Sequence, residues 1–389
     1  MWFAIAMLFM ALLSSLDIGI YSYIGYKTSV TPFQYGLISA MWSAVFIASN
    51  LFLGKISDRG NNKFLIVISF LSIMVTGLLF SFHSLTFLAI AYMFHALGVA
   101  SSNLAVSTTI FEMKSSDRWK YYIELQKFSY YLIRGFGLLS FYFIGNIIPL
   151  DYFIYFSVVI GFLTFLSLPK VNLRMERVLH SFSQDFNSIA NHIKILSYLA
   201  YDSISSLPNA VKQGYISYKA VSTKMISLSM FFATFTGDYI FTILPLLIKS
   251  YISLGLLWLS YGITALIISF SLILFSMFSN TGNKKVAISL IISRGIWLVS
   301  VLSFINNTLN LIAYIAISSV LFSMIDIALY NIFSEGSSGY GSHIYYTLRE
   351  LGTLTGSLLV GIAYTLGKEV FITIPIITTI ISAVMLLIA

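Results

Sequence analysis

The stretch "LFLGKISDRGNNKFLIVIS", Leu51 to Ser69, sets Lys, Asp, Arg, Gly and Asn close together between two apolar runs. A polar group this short between hydrophobic flanks reads as the reversal between two helices. Gly60 and the pair Asn61-Asn62 offer the backbone freedom that a reversal within about nine residues needs, while Arg59 and Lys63 suit an anionic membrane surface. A second passage, "LFSMFSNTGNKKVAISLIIS" from Leu274 to Ser293, repeats the pattern: Ser57 through Lys63 line up with Ser279 through Lys285 at an offset of 222. "AYMFHALG" at Ala91 meets "AYIAISSV" at Ala313 at the same offset of 222. Asp17 and Asp238 stand 221 apart, and "YYLIRGFG" at Tyr130 matches "YYTLRELG" at Tyr345, 215 further on. Apolar helices align by accident, but polar residues matching in chain order point to a duplicated unit.

Composition sets the environment of that unit. Of 389 residues, 58% are hydrophobic and 9% charged, and the mean hydropathy is +0.90, more apolar surface than a soluble core could bury. The chain therefore reads as an all-α integral membrane protein. Twelve spans are predicted, at about 1–26, 34–54, 64–82, 85–112, 121–147, 151–169, 226–248, 252–278, 286–305, 308–334, 343–366 and 370–389. These runs are too long for the alternating strands of a barrel. The first lacks a basic leader and reads as a retained span rather than a signal peptide.

Charge placement gives an orientation. Sixteen Lys and Arg residues, from Lys55 to Lys285, fall in or beside the connections after spans 2, 4, 6 and 8, against three, Lys27, Lys249 and Lys368, on the other side. Both termini are accordingly expected in the cytoplasm. The chain divides into a six-helix bundle at 1–169, a cytoplasmic linker at 170–225 and a second six-helix bundle at 226–389. Within the linker, Val178 to Asn209 has apolar residues at mixed helical spacing; a helix along the cytoplasmic face and a tether between halves both fit. Two six-span repeats in one orientation make a pair of bundles related by an axis along the membrane normal, with a site between them near mid-membrane.

On these features the chain resembles the major facilitator superfamily over its whole length. The family's signature between helices 2 and 3 reads roughly GxxxDRxGRRK, and Gly54, Asp58, Arg59, Gly60 and Lys63 match its Gly, Asp, Arg, Gly and final base. The match is contracted by one residue, with Asn61-Asn62 in place of two bases, and "TPFQYGLISAMW" with Gln34 and Gly36 resembles the family's start of helix 2. By this resemblance Asp58 serves a cytoplasmic latch between the halves, acting on the N-terminal end of helix 11 or a nearby Arg; a solvated loop that only sets topology is the plainer reading.

Ionisable residues at bilayer depth are costly and face a cavity or a partner. Asp17, Arg134, Asp238, Arg294, Asp326 and Arg349 fall within spans, three acids against three bases. One reading has them pair and fasten the helices. The other rests on polar stripes: Ser14, Asp17 and Tyr21; Thr234, Asp238 and Thr242; Ser319, Ser323, Asp326 and Tyr330. In the family, helices 1, 4, 7 and 10 line the central cavity, which makes Asp17, Tyr21, His95, Asn103, Asp238 and Asp326 candidates for a substrate and proton cavity; Arg134 and Arg349, at matching positions in the two halves, join them as partners for these acids or as holders of an anionic substrate. His95 also reads as a packing residue.

Other chemistry finds no foothold. The sequence has no Cys, no Walker loop, no GxSxG nucleophile motif and no His pair at metal-ligand spacing. Neither a cofactor nor a metal is expected, and the protein is not expected to be an enzyme or to bind nucleic acid. A lipid-acting enzyme would have to use Asp117, Arg118 and Glu124, which read better as a loop. The expectation is a multi-pass secondary transporter of the cell membrane, monomeric among its lipids. It would move a small-molecule substrate by alternating access with protons as coupling ion, leaning to export of amphipathic compounds. Uptake of a sugar, organic acid or other metabolite is the alternative, and a non-transporting sensor or scaffold is a reading of another class.

The orientation is testable because the chain carries no native thiol. Ser29→Cys should react with a membrane-impermeant maleimide added to intact cells, and Asn61→Cys only after permeabilisation; the reverse pattern would invert the topology.

Overall fold

A helix rises about 1.5 Å per residue, so some twenty apolar residues cross a hydrocarbon layer of about 30 Å. The structure, a computed structural model, describes residues 2–58, 60–113, 119–145, 147–170, 222–278, 283–337 and 342–389; the regular elements among them are all helical. Twelve long helices follow in order: α1 (Trp2–Lys27), α2 (Pro32–Asp58), α3 (Asn62–Phe80), α4 (Leu85–Met113), α5 (Trp119–Ile144), α6 (Leu150–Ser167), α7 (Thr223–Ile248), α8 (Leu254–Phe278), α9 (Lys284–Val299), α10 (Thr308–Ser337), α11 (Ser342–Leu366) and α12 (Lys368–Ile388). After a break at Ser300, α9 continues as a single turn, Val301–Phe304. Each helix lies within a few residues of its predicted span. The linker from 171 to 221 lies outside the described residues, as do Arg59, Asp117, Arg118 and the side chains of Asp58 and Glu124.

Nine of the twelve are long and apolar enough to cross a membrane by themselves, and α5, α9 and α11 are the exceptions among the described residues. Serine and threonine survive in the apolar helices because their hydroxyls bond back to their own helix. Ser72 Oγ donates to the Ile68 carbonyl at 2.7 Å, Thr164 Oγ1 to Ile160 at 2.8 Å and Ser260 Oγ to Leu256 at 2.8 Å, so these buried donors are satisfied within their own helices.

Helices α1–α6 gather around one apolar core that includes Phe9, Leu13, Ile20, Ile73 and Phe141. Helices α7–α12 gather around two more, one with Tyr239, Leu244, Leu298 and Phe371 and one with Met230, Ile325, Leu329 and Tyr345. The reversal after α2 is closed by Gly60, whose φ of 77° lies in the left-handed region that glycine adopts without strain. Asn62 is not there for backbone freedom, contrary to the sequence reading. It is buried, and its Nδ2 donates to Thr109 Oγ1 at 2.8 Å and to the Pro169 carbonyl at 2.9 Å, tying α3 to α4 and to the end of α6.

Two close crossings join the first six helices to the last six, α2 with α11 and α5 with α8. Small residues permit them. A Cβ on Gly36 would stand 2.4 Å from the Ser357 carbonyl oxygen, and one on Gly361 would stand 2.8 Å from Phe33 Cα. Side chains then lock the end of the molecule remote from the termini. Tyr21 donates to the Thr242 carbonyl at 3.0 Å, Tyr26 to the Ile252 carbonyl at 2.9 Å, Ser39 to Ser357 Oγ at 3.0 Å and Trp258 Nε1 to Ser22 Oγ at 2.8 Å. At the opposite end the Ser222 N–H meets the Ala389 carbonyl at 3.1 Å, placing the chain's end beside the start of α7.

Gly36→Val cannot fit against Ser357 without separating α2 from α11. It should therefore raise the rate at which a thiol reagent reaches Thr242→Cys from that end. An unchanged rate would show that this crossing does not hold the end shut.

Candidate functional site

Two of the helices too polar to lie alone in lipid, α5 and α11, carry Arg134 and Arg349, and both turn these residues toward a central chamber. The chamber has a volume of about 380 Å³ and lies near the middle of the helices that line it. Its walls include Asp17, Ile18 and Tyr21 from α1, Ser39, Trp42 and Ser43 from α2, Tyr92 from α4 and Tyr131 and Arg134 from α5. Across from them stand Asp238, Phe241, Thr242 and Pro245 from α7, Tyr261 and Thr264 from α8, Arg294 from α9, Phe322 from α10 and Arg349, Glu350 and Thr353 from α11. Pro245 lacks an N–H and so leaves the Phe241 carbonyl, one turn earlier, without its helical partner beside the cavity.

The charged groups are held in different ways. Asp17 Oδ1 accepts from the Tyr92 hydroxyl at 2.8 Å, and Asp238 Oδ2 accepts from Thr353 Oγ1 at 2.6 Å; neither forms an ion pair among the described residues. Arg349 sits between two acids, 3.7 Å from Asp326 and 3.9 Å from Glu350. Arg294 is buried and lies over the Phe322 ring at 4.4 Å, its Nη1 donating to the Ala233 carbonyl at 2.8 Å and its Nε to the Ser318 carbonyl at 3.3 Å. Arg134 has no ion pair among the described residues, and its buried Nε has no hydrogen-bond partner; the chamber-facing hydroxyls of Ser43, Thr234 and Thr264 also lack one. Unsatisfied donors gathered around one cavity are the mark of a polar binding surface.

An aromatic layer forms the floor at the closed end. Tyr21 stacks on Tyr35 with ring centres 4.2 Å apart and on Tyr92 at 5.5 Å, so Asp17, through its bond to Tyr92, is joined to the residues that seal the cavity. Trp42 stands beside Tyr92 at 5.9 Å and donates through Nε1 to His95 Nδ1 at 3.3 Å.

Of the residues singled out in the sequence, Asp17, Tyr21, Arg134, Asp238 and Arg349 line the chamber. Asp326 does not, but it contacts the chamber through Arg349. His95 and Asn103 do not line it either. His95 is fully buried between Trp42 and the Leu13 carbonyl, 2.9 Å from Nε2, and Asn103 is half-buried on α4. Of the signature turn, Gly54, Gly60 and Lys63 do not line the chamber: a Cβ on Gly54 would meet nothing within 4 Å, and Lys63 rests over the Phe165 ring at 5.5 Å. Glu350, Trp42 and Tyr261 were missed by the sequence reading. Glu350, Thr353 and Ser357 do form a polar stripe at steps of three and four, which is the signal that was available for the first of them.

Twelve helices around a solute-sized polar chamber, shut at one end by bonds between the two halves of the chain, define a polytopic carrier-like membrane protein. Residues 3–357 match the Major Facilitator Superfamily, and the chain belongs to that family. No curated protein sequence matches it. It is thus a multi-pass membrane transporter of small solutes, in a family of transporters rather than enzymes.

The geometry makes His95 a positioning residue for Trp42. His95→Phe would orphan the Leu13 carbonyl contact and the Trp42 N–H, at a cost of about 1–3 kcal/mol. A lowered melting temperature in detergent with transport retained is expected, and loss of transport at unchanged stability would place His95 in the mechanism.

Proposed function

We propose that the protein is a proton-coupled secondary transporter that works by alternating access. Residues 1–169 and 226–389 rock as two bodies about the chamber, linked by 170–225. The bonded end, with Tyr21, Tyr26, Ser39 and Trp258, is the gate closed in this state. With both termini in the cytoplasm, this is the inward-facing arrangement, and Gly54, Asp58, Arg59, Gly60 and Lys63 belong to the cytoplasmic gate that closes in the opposite one.

One observation carries the coupling: Asp326 and Glu350 flank a single guanidinium, that of Arg349. One base balances one acid, so the cluster holds an uncompensated negative charge until one proton joins it. Charge is expensive in a site of low dielectric, and the proton therefore binds or leaves as access to water changes. Glu350 and Arg349 line the chamber, so cargo and proton act on one structural element, α11. The six ionisable side chains facing the chamber favour a charged metabolite over a lipophilic cargo.

The test is proton flux into proteoliposomes loaded with a pH dye under an imposed gradient, with pools of amino acids, organic acids, sugars and lipophilic cations added outside. One pool should trigger flux. Asp326→Asn with Glu350→Gln should cut that flux at least tenfold while the cargo still binds; flux unchanged by the double variant would remove the coupling mechanism.

A further inference from the structure

Acids and bases line the chamber in equal number, and they differ in how far they are already partnered. Asp17, Asp238 and Glu350 face it against Arg134, Arg294 and Arg349, three acids and three bases. Arg349 is occupied by Asp326 and Glu350, and Arg294 by two backbone carbonyls and the Phe322 ring. Among the described residues, Arg134 is without an ion pair and its buried Nε without a hydrogen-bond partner, and the chamber acids without an ion pair are Asp17 and Asp238. All three line the same chamber as Tyr261.

We propose, resting on the transport reading above, that the cargo is a small zwitterion of the amino-acid type, its carboxylate on Arg134 and its ammonium between Asp17 and Asp238. A dipolar cargo satisfies a free guanidinium and a free carboxylate together and adds no net charge to the chamber. A plain anion would leave the two acids uncompensated, and a plain cation would leave Arg134 unpaired; both conditions are costly away from water. A volume of about 380 Å³ lies near the lower bound for ligand pockets, which suits a cargo of this size. Trp42, Tyr92, Tyr261 and Phe241 add ring surface for an apolar side chain, so large hydrophobic amino acids fit best.

The experiment is binding to the purified full-length protein in detergent, followed by calorimetry. The probes are L-phenylalanine, L-tyrosine and L-leucine, each beside its N-acetyl derivative, which lacks the cation, and its carboxamide, which lacks the anion. At least one free amino acid should bind tenfold or more tightly than both of its derivatives. Arg134→Gln should erase the preference for carboxylate over carboxamide and spare the preference for ammonium; Asp17→Asn or Asp238→Asn should do the reverse. Equal or better binding of either derivative, or no binding of any of the three amino acids at millimolar concentration, overturns the proposal. Proton flux separates this from the transport reading. Flux driven by another pool, with the amino acids inert, discards the zwitterion and keeps the transporter. Amino-acid binding with the expected discrimination but no flux keeps the ligand and discards coupled transport.

Discussion

Charge in hydrocarbon is the constraint around which this molecule is arranged. An ionised side chain exposed to lipid costs several kcal/mol, and this chain places Asp17, Arg134, Asp238, Arg294, Asp326, Arg349 and Glu350 within its helices. Nine strongly apolar helices do not need one another to enter a membrane, but α5 and α11 do. Their polar faces are covered by α8 in one case and by α2 and α7 in the other. The same burial that removes charge from lipid gathers it around one chamber, so the solution to a folding problem is also the origin of the site.

The pairing of these groups is deliberately incomplete. Arg294 is committed to backbone carbonyls and a ring, and Arg349 to two acids, which leaves little freedom to either. Asp17 and Asp238, at corresponding places in the two halves, are held only by single hydroxyls, those of Tyr92 and Thr353. A hydroxyl orients a carboxylate without neutralising it. Two committed cations beside lightly held anions give a surface that keeps its shape while its charge remains available.

Much of this was legible in the sequence. Long apolar runs gave the number and the approximate ends of the helices, because the period and length of a membrane span leave few alternatives. The polar stripes through Asp17 and Asp238 marked faces turned away from lipid, and both acids line the chamber. His95 carried no comparable information. A lone imidazole among apolar neighbours looks the same whether it faces a cavity or, as here, bridges Trp42 and the Leu13 carbonyl. Asn62 misled for a related reason: an Asn in a turn suggests local flexibility, and only the fold shows Thr109 and Pro169 waiting beside it. Glu350 was hidden by its neighbour, since Arg349 drew the eye and adjacent residues on a helix point some 100° apart.

The polarity of α5 has a consequence for biogenesis. Helices emerge from the ribosome in order, and α5 precedes by more than a hundred residues the α8 against which it crosses. In the folded molecule α5 is also bonded to α1, which is made before it: the Tyr130 hydroxyl donates to Ser14 Oγ at 2.5 Å and Ser15 Oγ donates to the Arg134 carbonyl at 3.2 Å. Helix α11 is in the opposite position: α2 and α7 are already made when it leaves the translocon. Insertion of the first half is therefore the vulnerable interval in the life of this chain, and α1, the most apolar partner available to α5 early on, has the duties of an intramolecular chaperone.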